Sequence, residues 1–362
     1  MPDDNQLERA MERFDSSKAL NEHRLKLFGQ TALAIAKGRG SAADAAAFAR
    51  AQVDAGAFYG EVLPLLRPAQ DAAGKAMRMR SAIVQSTDSG LVDEWGLVSQ
   101  AFAQDAVAAM VVGRLRGVRR VPFTRGVLSQ SLFGAAEWVA ETTAKPVATA
   151  GFEFLSVPSR KIALLAVMSM EALDTSGAEM LVRQSLKTGA VQRGDATFAS
   201  SDAEVTGESP AGIGADAVTI ASTGSTAAAI SADVRSMIDA KVGKVSLDTD
   251  VWIMSPQAQA FLRMLKITDA DGSLAGFPVV ASSAADGQIL LLSPSYVFLA
   301  SGPITLNVST EATVTIDGTV YSLYQRNLVG IVSEFYLNWA LSGSSDSNGH
   351  YAAVKLSEAA YA

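Results

Sequence analysis

Apolar residues recur at helical spacing in the first part of the chain, at Leu7, Met11 and Phe14 and again at Leu25, Phe28, Ala32 and Ile35, with Gly38 and Gly40 closing the run. Residues 1–95 therefore read as helical. Their core is expected to be thin: alanine-rich stretches such as Ala42 to Ala51 make good helix but bury little area per residue, so a neighbouring helix or a partner should supply stability. A second apolar helical run, through Phe102, Val107, Met110 and Val111, gives way to extended chain at Val121-Pro122-Phe123. Two stretches rich in β-branched and aromatic residues, around Ala135 to Ala140 and Phe152 to Val157, flank the polar Glu141 to Pro146 and predict a long hairpin with a polar tip. Beyond it, Asp174 or Ser176 caps a helix in which Ala178, Leu181 or Val182, Ser185, Gly189 and Arg193 stand three to four apart, with Gly194 as the stop. Such a helix of about 18 residues would be a rod roughly 27 Å long.

The second half alternates short helices and strands. Residues 199–228, rich in Gly, Ser, Thr and Ala, read as a loop or mobile connection. Ser231 is the cap expected for a helix carrying Val234, Ile238 and Val242. Val251-Trp252-Ile253-Met254 has the pattern of a buried strand, and Ser255 then caps a helix with Pro256 at its first position, where a missing amide hydrogen costs nothing. Gly276 to Val280 and Gln288 to Leu292 add two strand candidates. Ile304, Leu306 and Val308 alternate, and Thr313 to Ile316 and Thr319 to Leu323 are joined by Asp317-Gly318, a strong hairpin signal because its turn needs positive φ. Leu328 to Leu341 and Tyr351 to Leu356 close the strands, with Ser342 to Gly349 as an exposed loop. Helices and strands in this order make an α+β fold. No period of 20 to 50 residues repeats, so a solenoid is not expected.

Composition narrows the chemistry more than the fold. The chain has 362 residues, 49% hydrophobic and 19% charged, which is ordinary for a globular protein large enough for two or three subdomains. With no cysteine it has neither disulfides nor a thiolate nucleophile, as suits a reducing compartment. The acidic start, Met1-Pro2-Asp3-Asp4, is unlike a secretory signal, and no apolar stretch approaches the roughly 20 residues that span a bilayer, so a cytosolic origin without a membrane partner is expected. A net charge of -7 argues against general nucleic-acid binding. The exception is a basic strip, Arg114, Arg116, Arg119, Arg120 and Arg125. His23 and His350 sit near opposite ends of the chain, poor material for a triad or a metal site. Neither a Walker pattern nor a nucleophile elbow occurs. Asp269-Ala270-Asp271-Gly272 lacks the closing glutamate of a calcium loop and reads as an Asx-type turn. Trp138, Trp252 and Trp339 lie in strand patterns and are expected in the core. No enzyme activity, cofactor or metal is expected.

Several segments follow one another in a telling order. They are Leu115 to Phe123 with its arginines, Trp138-Val139-Ala140-Glu141 with Ala144-Lys145-Pro146, Lys161 to Leu173, and Gly194-Asp195-Ala196-Thr197-Phe198. Trp252 to Val280 follows, with Ser255-Pro256, Leu262, Lys266, Gly272, Leu274 and Gly276-Phe277-Pro278-Val279, and then Gln325-Arg326-Asn327 through Glu334 and Trp339. In order and spacing, residues 97–357 resemble the major capsid proteins of tailed double-stranded DNA bacteriophages, the Hong Kong 97-type fold.

The resemblance implies an architecture: residues 1–95 a helical N-terminal region that could serve as a scaffold-like segment, 96–126 an N-terminal arm, and 127–167 an extended hairpin loop. Residues 168–200 would be the spine helix of a peripheral domain, 201–302 an axial domain, and 303–362 peripheral-domain strands and the C-terminus. It implies a structural protein that assembles with itself through pentamers and hexamers into an icosahedral phage head, made in the host cytoplasm and located in the virion. Its partners would be portal, scaffold or protease proteins of the same phage and, non-specifically, packaged double-stranded DNA. An encapsulin-like compartment shell is the alternative use of the fold, and an enzyme of unrecognised class a further one. Under the resemblance the arginine strip is either a solvated or intersubunit salt-bridging surface or a contact for packaged DNA. Some family members form an intersubunit lysine–asparagine isopeptide bond assisted by a glutamate, and the resemblance sets Lys145, Asn327 and Glu334 at those positions. That reaction needs a neutral amine and a carboxylate to take its proton. The same residues also read as a solvated Lys-Pro turn, a strand-end asparagine and an ion-pairing glutamate.

Overall fold

The computed structural model describes residues 4–39, 42–66, 94–123, 126–132, 138–139, 151–285, 287–316, 318–342, 345–346 and 349–357. Helices α1 (Asp4–Lys37), α2 (Ala42–Asp54), α3 (Val62–Leu65), α4 (Glu94–Ala109) and α5 (Val111–Arg114) come first. Strands β1 (Arg119–Arg120), β2 (Val127–Leu132), β3 (Gly151–Leu155) and β4 (Lys161–Ser169) lead to α6 (Met170–Leu173) and the long α7 (Ala178–Phe198). Next come β5 (Ala217–Ala221), α8 (Ala227–Lys241), β6 (Val251–Met254), α9 (Pro256–Met264), β7 (Val279–Ala281) and β8 (Ile289–Leu292). The last part is nearly all strand: β9 (Val297–Ser309), β10 (Thr313–Ile316), β11 (Thr319–Ser322), β12 (Leu328–Leu341), β13 (Ser345–Asp346) and β14 (Gly349–Ser357). The fold is α+β, as the pattern predicts.

The chain forms two compact units, the first made of residues 1–106, 162–190 and 302–335. Its helical layer is better packed than its alanine content suggests. Every residue from Leu27 to Ala36 of α1 is buried, and Phe28 stacks on Phe102 of α4 with ring centroids 4.0 Å apart. Small residues make this possible: a Cβ on Gly38 would lie 2.5 Å from the backbone nitrogen of Ala45, so only glycine lets α1 and α2 meet there. Lys187 of α7 pairs with Asp105 of α4 at 2.8 Å. Within this unit, residues 328–335 of β12 run beside β4, where a Cβ on Gly330 would come within 3.2 Å of Leu165. The expected hairpin is present as β10 and β11, pairing Ile316 with Thr319, with Gly318 at φ +76°; Asp317 lies outside the described residues.

The second unit comprises residues 107–161, 191–301 and 336–362. Its core is a sheet in the order β13-β14-β8-β6-β7, with β5 pairing β14 in parallel. Both β6 and β8 are buried at every position, so they read as continuous apolar runs rather than alternating ones. Ile230 and Met237 of α8 and Ala258 and Leu262 of α9 pack with Trp252, Leu291 and Val354 of the sheet. Trp252 is fully buried and its indole N–H donates to the Leu274 carbonyl at 2.9 Å, while Trp339 donates to Ala211 at 2.8 Å. Ser255 accepts the Ala258 N–H at 3.0 Å, with Pro256 opening α9.

Four sequence expectations need correction here. Helix α7 does not stop at Gly194 but runs to Phe198, whose ring meets Trp339 edge-on at 5.2 Å; tertiary burial outweighs glycine's low helix propensity. Helix α8 starts at Ala227, capped by Thr226, which accepts the Ala229 N–H at 3.3 Å; Ser231 instead donates back to the Ala227 carbonyl. Residues 199–216 form the expected loop, but the stretch read as loop up to 228 also contains β5 and the start of α8. The Gly212 and Gly214 amides bond to Asp202 and Ser200, Lys355 donates to the Gly214 carbonyl at 2.8 Å, and β5 follows. A Cβ at Gly212 would sit 2.2 Å from the Ser200 oxygen, so these glycines allow the loop's backbones to touch. Within the expected loop Ser342–Gly349, Ser342 is buried and β13 pairs Ser345 with His350, because the edge of β14 offers free backbone groups.

Candidate functional site

The best-defined polar site grows from a turn that only a few residue types tolerate. A single 3-10 turn, Tyr324–Arg326, ends at Asn327 with φ 52° and ψ 43°, the left-handed conformation that asparagine adopts more readily than other non-glycine residues. Its carbonyl accepts the Met170 N–H at 3.0 Å, and its side-chain amide donates to Glu171 at 2.7 Å. Glu171 sits in α6, capped by Ser169, which accepts the Ala172 N–H at 3.1 Å. The Glu171 backbone N–H and then the Asn327 amide hold its carboxyl below the usual glutamate range. On α1, Lys37 donates to the Met170 carbonyl at 3.2 Å and pairs with Asp174. Glu171 is the residue that sequence reasoning missed. It stands 156 positions from Asn327, and its only local signal is the serine cap two residues before it.

Asn327 and Glu334 do not meet within one chain. Glu334 is half-buried on β12, seven residues beyond Asn327. At a strand's rise that is roughly 23 Å along the chain. Lys145 lies outside the described residues.

Within the second unit Arg114, Arg116, Arg119 and Arg120 are all exposed; Arg125 lies outside the described residues. Strand β1 pairs in parallel with β9, which sets the Arg119 guanidinium over the Phe298 ring at 5.5 Å, and Arg114 donates to the Ala281 carbonyl at 3.2 Å. Among the described residues none of the four forms an ion pair within 4 Å. Asp195 is nearest in effect, but it accepts the Val111 N–H at 2.7 Å at the start of α5, and burial pushes its carboxyl up.

A hairpin pairing is formed by β2 and β3, Val127 opposite Leu155; β3 falls in the predicted Phe152 to Val157 stretch, whereas β2 precedes the predicted Ala135 to Ala140 stretch, most of which lies outside the described residues, as does the polar tip. Trp138 corrects its expected place in the core: it is 105% exposed, because none of the described layers of this chain covers it. Phe154 is 74% exposed, its ring lying where a side chain on Gly126 would be.

The remaining candidates are structural. Asp271 accepts the Ser273 N–H at 3.0 Å and Asp269 accepts the Gly276 N–H at 2.9 Å, so this segment is the expected Asx-type turn. His23 lies 3.8 Å from Glu61 in the first unit, and His350 pairs with Ser345 in the second. Among the described residues no cluster of three or more potential ligands could hold a metal, and no helix is long and apolar enough to cross a membrane.

No protein-family profile matches the chain. In sequence it is similar to a phage capsid protein. The relative is the capsid polyprotein of Pseudomonas phage PAJU2, 29% identical over 310 residues and 74% of this chain; the chain spans 46% of that protein's length. Similar solved structures include a chain from Mycobacterium phage Bobi, with TM-score 0.49, 14% identity, and coverage of 68% of this chain and 90% of that one. A chain from Microbacterium phage Oxtober96 has TM-score 0.48 and 18% identity, covering 79% and 96%. The capsid of a native GTA particle has TM-score 0.48 and 17% identity, covering 80% and 98%.

Proposed function

We propose that the chain is a structural shell subunit, a major capsid protein of Hong Kong 97 type, which self-assembles through pentamers and hexamers into an icosahedral phage head enclosing double-stranded DNA. The observation that carries this reading is the sequence relation to a phage capsid polyprotein. The surface supports it: Phe154 on β3 and Trp138, both highly exposed, are suited to meet a neighbouring copy, because burying their aromatic area there offsets the cost of exposing it in the free chain. The exposed Arg114, Arg116, Arg119 and Arg120 then meet carboxylates of a neighbour or phosphates of the packaged DNA. Portal, scaffold or protease proteins of the same phage complete the partners, with assembly in the host cytoplasm and the virion capsid as the final location. No bond-making chemistry is required of the subunit.

Sedimentation of the wild type and of Trp138→Ser tests the reading. The variant changes a fully exposed side chain, so its folding stability should stay within about 0.5 kcal/mol of wild type. Wild-type chain, produced with its neighbouring phage genes, should move into fast-sedimenting particles, and the variant should remain slow. Equal sedimentation of both would remove the hairpin from the interface. A wild type that never forms large particles would contradict the shell reading.

A further inference from the structure

The helices before residue 67 are packed in a way that a detachable segment would not need. We infer that α1, α2 and α3 are a permanent part of the first unit's core, and that α1 acts through Lys37 as the brace that positions the Asn327 turn.

The first half of this inference rests on burial. A surface helix buries one stripe and leaves the opposite face wet. In α1 the ten residues from Leu27 to Ala36 are buried at every position, polar Gln30 and Thr31 included. Each side has a different neighbour. Phe28 stacks on Phe102 of α4, and Gly38 lies against Ala45 of α2. The Gln30 side chain accepts the Tyr59 N–H at 3.0 Å on the approach to α3, and a Cβ on Gly29 would come within 3.3 Å of the Glu179 carbonyl of α7. Removing α1 would therefore uncover Phe102 and Ala45 together, leaving a gap in the middle of the unit.

The second half rests on a continuous set of bonds within that unit. The Lys37 side chain, only 8% exposed, reaches the Met170 carbonyl and Asp174, at the two ends of α6. From the other side, the Met170 N–H donates to the Asn327 carbonyl and Glu171 receives the Asn327 amide. Helix α6 is only four residues long, too short to be stable alone, so its position depends on what grips it. Lys37 grips it from the N-terminal layer, and Asn327 depends on it for both of its long-range hydrogen bonds.

Two experiments on the purified full chain test the two halves, and neither requires shell formation. In the first, a site for a specific protease is inserted between Leu66 and Glu94 and cut to completion under native conditions. The fragment carrying α1–α3 should co-elute with the remainder in size exclusion and separate only in denaturant; separation in native buffer would overturn permanence. In the second, amide hydrogen exchange is compared between wild type and Lys37→Met, which keeps the apolar stem. The Met170 and Leu328 amides should exchange about tenfold faster in the variant, while those of β14 should not change. Unchanged exchange at Met170 in a folded variant would overturn the brace.

Discussion

At Asn327 one backbone angle constrains the choice of side chain. An L-residue with a Cβ pays roughly 1–2 kcal/mol in the left-handed region, and glycine does not. Asn327 already bears much of that cost, which its side chain eases by local hydrogen bonding, so Asn327→Ala should lower stability by only a fraction of it plus the lost bond to Glu171, while Asn327→Gly should cost less, a ranking that urea denaturation midpoints will check. The buried pair Lys241–Asp250, 2.6 Å apart with both side chains fully buried, has a sharper signature. Burial lowers the Lys241 pKa from 10.5 to about 8, with the Asp250 carboxylate opposing the shift, and burial likewise pushes the Asp250 carboxyl up. Because the native lysine pKa lies below the unfolded one, the unfolded chain holds more protons between those two values. The Lys241 contribution to stability should thus rise as pH increases from about 8 towards 10.5, at up to about 1.4 kcal/mol per pH unit. Denaturation across that window should show the slope in wild type and lose it in the Lys241→Met, Asp250→Leu double variant.

Among elements, those whose signal is local were legible in the sequence. Strand β12 occupies the predicted Leu328 to Leu341, and Ser255-Pro256 opens α9, because side-chain periodicity and a cap each act over a few residues. Elements shaped by distant contacts were not. Gly194 is a stop signal that α7 ignores because Asp195 and Phe198 are anchored by Val111 and Trp339. Ser231 looks like a cap, yet Thr226 holds that position. This distinction is measurable: Thr226→Ala should cost about 1 kcal/mol and Ser231→Ala only a few tenths, read by thermal melts. The candidate site divides in the same way. The left-handed preference of Asn327 is local, but its partner Glu171 belongs to an element far along the chain, and the exposure of Trp138 depends on layers that no local pattern reports.

At the scale of the molecule, each unit is assembled from three separate stretches of chain. Neither can be complete until late segments have folded onto early ones. On the proposed reading, that interleaving would suit a tile loaded from several sides, with the exposed Phe154 and the arginine strip free to meet a neighbour. Electron microscopy of the purified chain, expressed alone and with its neighbouring phage genes and enriched by sedimentation, tests the central claim most directly. Closed shells or five- and six-membered rings built from this chain are the predicted result. A monomer or small oligomer under both conditions would contradict the account.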